Sequence, residues 1–186
     1  AEDQLKAIAD ICREEKIFII SDEIYGFISF DGSYRSISEY APDITAVTSG
    51  LSKQLSLGGW RFGFSFIPKD VPGLYERVRQ VGSELWSCVA APIQFAAMDA
   101  YRSHDDIESY IKDCTSVHGF INQTMADHLK KCGVECARPQ GSFYCYPNFE
   151  TIRHGLREQN VHTSSELAQF LVSKYGLMSL PGHAFG

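Results

Sequence analysis

The feature that most constrains the fold of this chain is an uninterrupted apolar run at residues 17–20. Asp22 follows two residues after the end of this run. β-Branched and aromatic residues in such a run favour a β-strand. Continuous apolarity, rather than alternation, indicates a parallel sheet covered on both faces. A helix with one apolar stripe is predicted before it, over residues 3–14, and two further strands are predicted after it, at 44–50 and 62–68. The pattern therefore predicts an α/β protein.

The second half of the chain has a different pattern. Helices are predicted at 74–86 and 93–103, and helical spacing of apolar residues then continues from 105 to 131. A helix of that length often bridges two domains. Shorter elements are predicted beyond it, namely strands at 134–139, 142–149 and 177–182 and a helix after the capping box Thr163–Glu166. We therefore place a domain boundary near residue 103, between a βαβ-type part, 1–103, and a smaller α+β part, 104–186.

Composition and charge argue against several classes of function. The net charge is −6 with acidic and basic residues interspersed, so there is no basic face for nucleic-acid phosphates. No apolar run is long enough to span a bilayer, and no signal peptide is visible. The 6 cysteines and 6 histidines show neither disulfide-framework nor metal-site spacing. We expect reduced thiols in a cytoplasmic protein with no metal site.

One lysine stands among small and apolar residues, in the stretch SGLSKQLSLGGWRFGF at 49–64. Lys53 follows the second predicted strand and Arg61 begins the third. Loops at strand ends are where α/β folds bind ligands. The two cations, the hydroxyls of Ser49 and Ser52, and backbone amides left accessible by glycine would suit a phosphate. The spacing matches neither a Walker A loop nor a dinucleotide-binding fingerprint.

The surroundings of Lys53 favour a neutral amine, because apolar neighbours and a second cation both disfavour the charged form. A neutral amine is a nucleophile toward carbonyls. Pyridoxal phosphate (PLP) is held by such a lysine as a Schiff base, with an acidic or basic partner at its ring nitrogen. Asp22, at the end of the most apolar strand, would be a buried carboxylate that needs a positive partner. Tyr25, three residues further on, is placed to donate to the ring oxygen.

These segments resemble the class I and II aminotransferases of PLP fold type I. Two segments match the family's cofactor motifs. The first is SDEIY at 21–25, and the second is SGLSK at 49–53, whose lysine is followed eight residues later by Arg61-Phe62-Gly63. PQGSFYCYPNF at 139–149 is similar to a strand of the family's small domain, and LPGHAFG at 180–186 to a turn near its C-terminal end. The resemblance covers nearly the whole chain. It implies part of an αβα-sandwich large domain followed by an incomplete α+β small domain.

The resemblance implies a role for each matching residue at the cofactor ring. Lys53 would bind the cofactor and move the proton of the substrate's α-carbon. Asp22 would hold the ring nitrogen, and Tyr25 would donate to the ring oxygen. The reaction implied is the transfer of an amino group from an amino acid to a 2-oxo acid.

The resemblance also assigns the phosphate of the cofactor. Arg61 would bind it. The family usually has serine at the position of Gly50, so the hydroxyl would come from Ser49 or Ser52 instead. Phe62 also departs from the family, which usually has a small aliphatic residue there. In the family the site lies at a dimer interface, and we therefore expect a homodimer, with an exposed apolar patch around residues 83–95.

Other functions fit the same residues. A PLP-dependent C–S lyase, or a synthase like that of aminocyclopropane carboxylate, would use the same Asp22, Tyr25, Lys53 and Arg61. An aminotransferase-like effector domain of a transcription regulator would carry a DNA-binding segment upstream. A non-catalytic αβα binding domain would use none of these side chains for chemistry. The amino donor and the 2-oxo acid are not specified by these motifs.

The family's remaining cofactor and substrate contacts are expected outside this stretch of chain, on both sides of it. We therefore expect a polypeptide of residues 1–186 alone to bind PLP weakly or not at all, and not to transaminate. Visible absorbance of the Schiff base and turnover of an amino donor would measure both properties. Normal activity of that polypeptide would contradict the expectation.

Overall fold

The structure is a computed structural model that describes residues 2–102 and 104–185. Its contacts divide the chain into two compact units. The first comprises Ala1–Phe120 and Gln140–Phe143, and the second comprises Ile121–Pro139 and Tyr144–Gly186. The contact division falls after Phe120, and the sequence-based boundary near residue 103 stays a prediction.

The first unit is built on a three-stranded sheet in the spatial order β1, β2, β3. The strands are β1 Ile19–Asp22, β2 Thr45–Gly50 and β3 Gly63–Phe66. β1 and β2 are parallel, with Asp22 opposite Thr48. β2 and β3 are antiparallel, with Gly50 opposite Gly63. The parallel pairing expected from the apolar run is therefore present, although β1 begins two residues after the start of that run.

Helices supply the rest of the first unit. They are α1 Glu2–Glu14, α2 Leu74–Trp86, α3 Ala91–Ala100 and the beginning of α4 Asp105–Lys131. The bounds of α2 and α4 agree with the periodicity of apolar residues in the sequence. None of the helices within residues 2–102 and 104–185 is both long and apolar enough to cross a membrane.

One hydrophobic cluster of the first unit packs against β1. Ala9 of α1 packs with Ile37 and Ala41 of the connection between β1 and β2, and all three are buried. Ile19 of β1 is packed against this cluster. Side chains alternate between the faces of a strand, so Ile20 points away from it and is 73% exposed. Coverage on both faces, expected from the apolar run, is present at β2, where the consecutive residues Thr45, Ala46 and Val47 are all buried, but not at Ile20 of β1.

The second unit is an α+β arrangement. It contains the end of α4, the strands β4 Glu135–Cys136 and β5 Pro147–Asn148, and the helices α5 Arg153–Glu158 and α6 Ser164–Tyr175. β4 and β5 form an antiparallel pair. The strand predicted at 177–182 is wrong: residues 177–181 have no regular structure, and a 3₁₀ helix spans Gly182–Phe185. Met178 is 85% exposed, and no neighbouring strand pairs with this segment in the described part of the chain. Gly186, the last residue of the LPGHAFG motif, lies outside the described residues.

The start of α6 is fixed by the predicted capping box, which is confirmed. The Thr163 hydroxyl accepts from the backbone N–H of Glu166 at 3.2 Å. The Glu166 carboxylate in turn accepts from the backbone N–H of Thr163 at 2.9 Å and from that of His162 at 2.7 Å. These bonds hold the pKa of Glu166 below its usual value. The helix ends at Gly176, whose φ of 66° is left-handed.

Replacing Thr163 by alanine should lower the free energy of unfolding by about 1 kcal/mol, because it removes the side-chain acceptor at the helix start. Thr163→Ser keeps the hydroxyl and should change stability by only a few tenths of that amount. Urea unfolding of the intact protein followed by circular dichroism measures both. Equal effects of the two substitutions would show that the cap does not stabilise α6.

Candidate active site

The candidate site lies where the parallel strands β1 and β2 end. Asp22 is the last residue of β1 and pairs with Thr48. One residue further on, the backbone N–H of Glu23 donates to the Thr48 carbonyl at 2.8 Å. The Ser49 hydroxyl donates to the Glu23 carbonyl at 3.5 Å. Lys53 follows in the turn after β2. Two distant segments of sequence therefore meet at the carboxyl edge of the sheet, where α/β proteins bind ligands.

Lys53 is half-buried, and its amine lies beside a pair of aromatic side chains. Its Nζ is 5.6 Å from the centre of the Tyr25 ring and 5.5 Å from the centre of the Phe143 ring. The two rings meet edge to face, with their centres 5.4 Å apart and their planes at 77°. An ammonium within about 6 Å of an aromatic face is attracted by the ring quadrupole. Aromatic rings therefore hold the Lys53 side chain in place.

Asp22 is exposed in the structure, which corrects the prediction of a buried carboxylate. The reason is the alternation of β1: Ile19 faces the core, so Asp22 shares the opposite, exposed face with Ile20. Its Oδ1 accepts from the backbone N–H of Ile24 at 3.3 Å. The carboxylate thus stands at the strand end as an acceptor that a ligand can reach.

Arg61 is exposed and adopts a left-handed backbone conformation, with φ of 54° and ψ of 41°. Such a conformation is uncommon for a residue other than glycine and is found most often at functional sites and tight turns. The guanidinium Nη1 donates to the Gly58 carbonyl at 2.7 Å. The hydrogen bond described for the Arg61 side chain is therefore within its own loop, whereas the Lys53 amine lies near the rings of Tyr25 and Phe143. Ser52 is half-buried in the turn beside Lys53.

Gly50 occupies the position where the aminotransferase motif usually has serine, and the structure gives the reason. A Cβ at Gly50 would lie 2.6 Å from the Phe62 carbonyl oxygen and 3.1 Å from the Cα of Gly63. The antiparallel partner β3 therefore leaves no room for a side chain here. The unusual Phe62 packs its ring toward Tyr101, with centres 6.5 Å apart.

Phe143 was not predicted as a site residue. It reaches Lys53 because its segment joins the loop after β1: the backbone N–H of Ser142 donates to the Ile28 carbonyl at 2.8 Å. Gly141 makes this approach possible, since a Cβ there would lie 2.7 Å from the Ile28 oxygen. The sequence signal was the PQGSFYCYPNF motif, which marked the segment without indicating which residue would meet the lysine.

Glu23 was also not predicted, and it organises the loop beside the site. Its carboxylate accepts from the Ser21 hydroxyl at 2.9 Å, from the Ser36 hydroxyl at 2.7 Å, and from the Tyr34 hydroxyl. Burial, and then the hydrogen bond to Glu23, raise the pKa of Tyr34. The loop thereby borders a cavity of about 510 Å³ that Asp22 and Tyr25 also line.

The structure is that of an α/β protein with a half-buried lysine, Lys53, beside the carboxyl ends of two parallel strands. A family model described as aminotransferase class I and II matches residues 1–186. The chain therefore belongs to the aminotransferase class I and II family.

Relatives and solved structures agree with this membership. A Bacillus subtilis (strain 168) protein named probable N-acetyl-LL-diaminopimelate aminotransferase is 33% identical over 190 residues, which cover 100% of this chain and 44% of that protein. The aspartate aminotransferase of Geobacillus stearothermophilus is 28% identical over 188 residues, covering 99% and 46%. The chain thus spans less than half the length of these curated relatives.

The fold itself matches a solved structure. The crystal structure of an aromatic aminotransferase from Pyrococcus horikoshii OT3 is similar with a TM-score of 0.86 at 24% identity. The match covers 100% of this chain and 48% of that one. The predicted fold class, a mixed α/β part of an aminotransferase fold, is therefore confirmed.

Restoring the family's serine by Gly50→Ser should destabilise the protein by about 1–3 kcal/mol, since the new side chain must push β2 and β3 apart. Gly59→Ala is the matched control, because a Cβ at Gly59 has nothing within 4 Å. We expect that control to change stability by less than about 0.5 kcal/mol. Urea unfolding of both variants of the intact protein measures the difference, and a neutral Gly50→Ser would contradict the close approach of the strands.

Proposed function

We propose that the intact protein is an aminotransferase that uses PLP to move an amino group from an amino acid to a 2-oxo acid. The observation that carries the proposal is the position of Lys53. Its Nζ lies 5.6 Å and 5.5 Å from the ring centres of Tyr25 and Phe143, beside the carboxyl ends of β1 and β2. Membership of the aminotransferase family supports the same reaction.

The donors and acceptors around Lys53 suit PLP. The Asp22 carboxylate, exposed at the end of β1, would accept from the protonated ring nitrogen. The Tyr25 hydroxyl would donate to the ring oxygen. The Arg61 guanidinium, with the hydroxyl of Ser49 or Ser52, would bind the phosphate through charge-assisted hydrogen bonds. When bound, the cofactor supplies an electron sink that makes the proton on the substrate's α-carbon removable.

Lys53 would move that proton. A 1,3 transfer of a proton, between two carbon atoms that are separated by one nitrogen, needs one base that can reach both carbons, and an amine on a flexible four-carbon stem can do so. Once it has accepted the proton, the amine is a cation. The faces of Tyr25 and Phe143 would then stabilise it, by about 0.5–2 kcal/mol for a partly desolvated pair. The rings would thus position the base.

We also propose that the intact protein is a cytoplasmic homodimer that needs neither nucleic acid nor membrane as a partner. The support for a dimer is an apolar surface on α2 and α3: Leu85 is 69% exposed, Trp86 67% and Phe95 71%. Large apolar side chains exposed together mark interaction surfaces more often than they mark ordinary solvent-facing surface. They lie at the residues where the sequence predicted such a patch.

Replacing Lys53 by alanine in the intact protein should lower the rate of amino transfer by at least 10²–10⁴-fold, on the order of the contribution of one general base. Lys69→Ala is the matched control, because Lys69 is an exposed lysine in the turn after β3. An amino-donor panel with 2-oxoglutarate measures the rates. Borohydride reduction followed by peptide mass analysis shows whether Lys53 carries the cofactor.

Two outcomes would overturn the proposal. Unchanged amino transfer in Lys53→Ala, or a cofactor adduct on another lysine, would remove Lys53 from the chemistry. Release of ammonia and a 2-oxo acid without transfer to an acceptor would instead support the C–S lyase alternative.

A further inference from the structure

Two cysteines nine residues apart in sequence lie side by side in the second unit. Cys136 is the last residue of β4, and Cys145 lies two residues before β5. Their sulfur atoms are 3.3 Å apart, and both are free thiols that are neither fully buried nor fully exposed. Cys145 belongs to the segment PQGSFYCYPNF, but neither cysteine has a role in the cofactor chemistry proposed above.

The backbone around the pair is arranged to bring these sulfurs together. β4 and β5 are antiparallel, with Cys136 opposite Pro147 and Glu135 opposite Asn148. Residues 137–144 leave β4 and return toward β5, so the two cysteines stand at the base of one loop. A disulfide has an S–S distance of about 2.05 Å. The sulfurs would need to approach by roughly 1 Å, which a change of side-chain rotamer can supply.

The two thiols are not chemically equivalent. Burial, and then the hydrogen bond with Cys136, raise the pKa of the Cys145 thiol to about 11. Cys145 therefore keeps its proton at neutral pH. Because the thiolate is the attacking form, the raised pKa disfavours Cys145 as the first nucleophile. Its sulfur, 3.3 Å from that of Cys136, is in place for the second step.

We infer that Cys136 and Cys145 form a reversible dithiol–disulfide site whose oxidant is a low-molecular-weight disulfide such as glutathione disulfide. The Cys136 thiolate attacks one sulfur of the oxidant, and one glutathione thiolate leaves. Cys145 then loses its proton and attacks the Cys136 sulfur, which expels the second glutathione thiolate. The net reaction converts two protein thiols and one glutathione disulfide into one protein disulfide and two molecules of glutathione.

The bridge would close the loop 137–144, and this loop carries Phe143. Cross-linking the base of a loop reduces the number of conformations open to it. Phe143 is one of the two rings that contact the Lys53 amine. Oxidation would therefore restrict the segment that supplies one wall of the candidate site. The thiol chemistry itself does not depend on the proposed aminotransferase function.

The test uses the intact protein with the substitution Cys132→Ser, because Cys132 is the exposed neighbour that would confuse the reading. The protein is incubated with glutathione disulfide, alkylated and digested with trypsin. Residues 132–153 then form one peptide, since the bond after Arg138 precedes Pro139 and resists cleavage. We expect this peptide to be unalkylated and lighter by two hydrogen atoms, and to regain both thiols on treatment with a reductant.

A second variant tests the order of the steps. In Cys132→Ser/Cys145→Ser, Cys136 should retain one glutathione, because the second thiol is missing. The Cys132→Ser protein itself decides the main question even if the second variant fails to fold. Full alkylation of both cysteines after exposure to the oxidant, or a glutathione on each, would overturn the inference.

Discussion

The parallel pairing of β1 with β2 is the interaction on which the candidate site depends. Asp22 and Lys53 are distant in sequence, and they share a site only because β1 and β2 end at the same edge of the sheet. The bond from the Glu23 N–H to the Thr48 carbonyl continues the pairing past the last residue of β1. Closing the connection between β1 and β2, residues 23–44, costs conformational entropy. Burial of Ala9, Ile37 and Ala41 on one face offsets it.

Two glycines set the positions of the groups around the lysine. At Gly50 the backbone of β3 comes so close that a Cβ would lie 2.6 Å from the Phe62 oxygen. At Gly141, in the segment that carries Phe143, a Cβ would lie 2.7 Å from the Ile28 oxygen. The first approach fixes the end of β2, from which Lys53 follows. The second fixes the ring against which its amine lies, so both depend on the absence of a side chain.

Local patterns were sufficient for the long helices and for the existence of the sheet, but not for the short helix α5, which was not predicted. The bounds of α2 and α4 follow from apolar periodicity, because a helix buries one stripe whatever its neighbours are. The prediction of a strand at 177–182 was wrong because an apolar run forms a strand only when a neighbouring strand pairs with it. The prediction that Asp22 is buried was wrong for a related reason. An apolar run indicates that a strand is buried, but it does not show which face of the strand the rest of the chain covers at each residue. Phe143 reaches Lys53 through a long-range backbone contact, between Ser142 and Ile28, and the spacing of residues along the chain does not predict such a contact.

The cysteines are a second case in which spacing along the sequence does not predict which residues meet. Spacing along the sequence draws attention to Cys132 and Cys136, the closest pair, because chain proximity is what a motif search measures. The antiparallel pairing of β4 with β5 instead brings Cys136 to Cys145. The two sulfurs meet because of a pairing between strands, which a comparison of positions along the chain does not reveal.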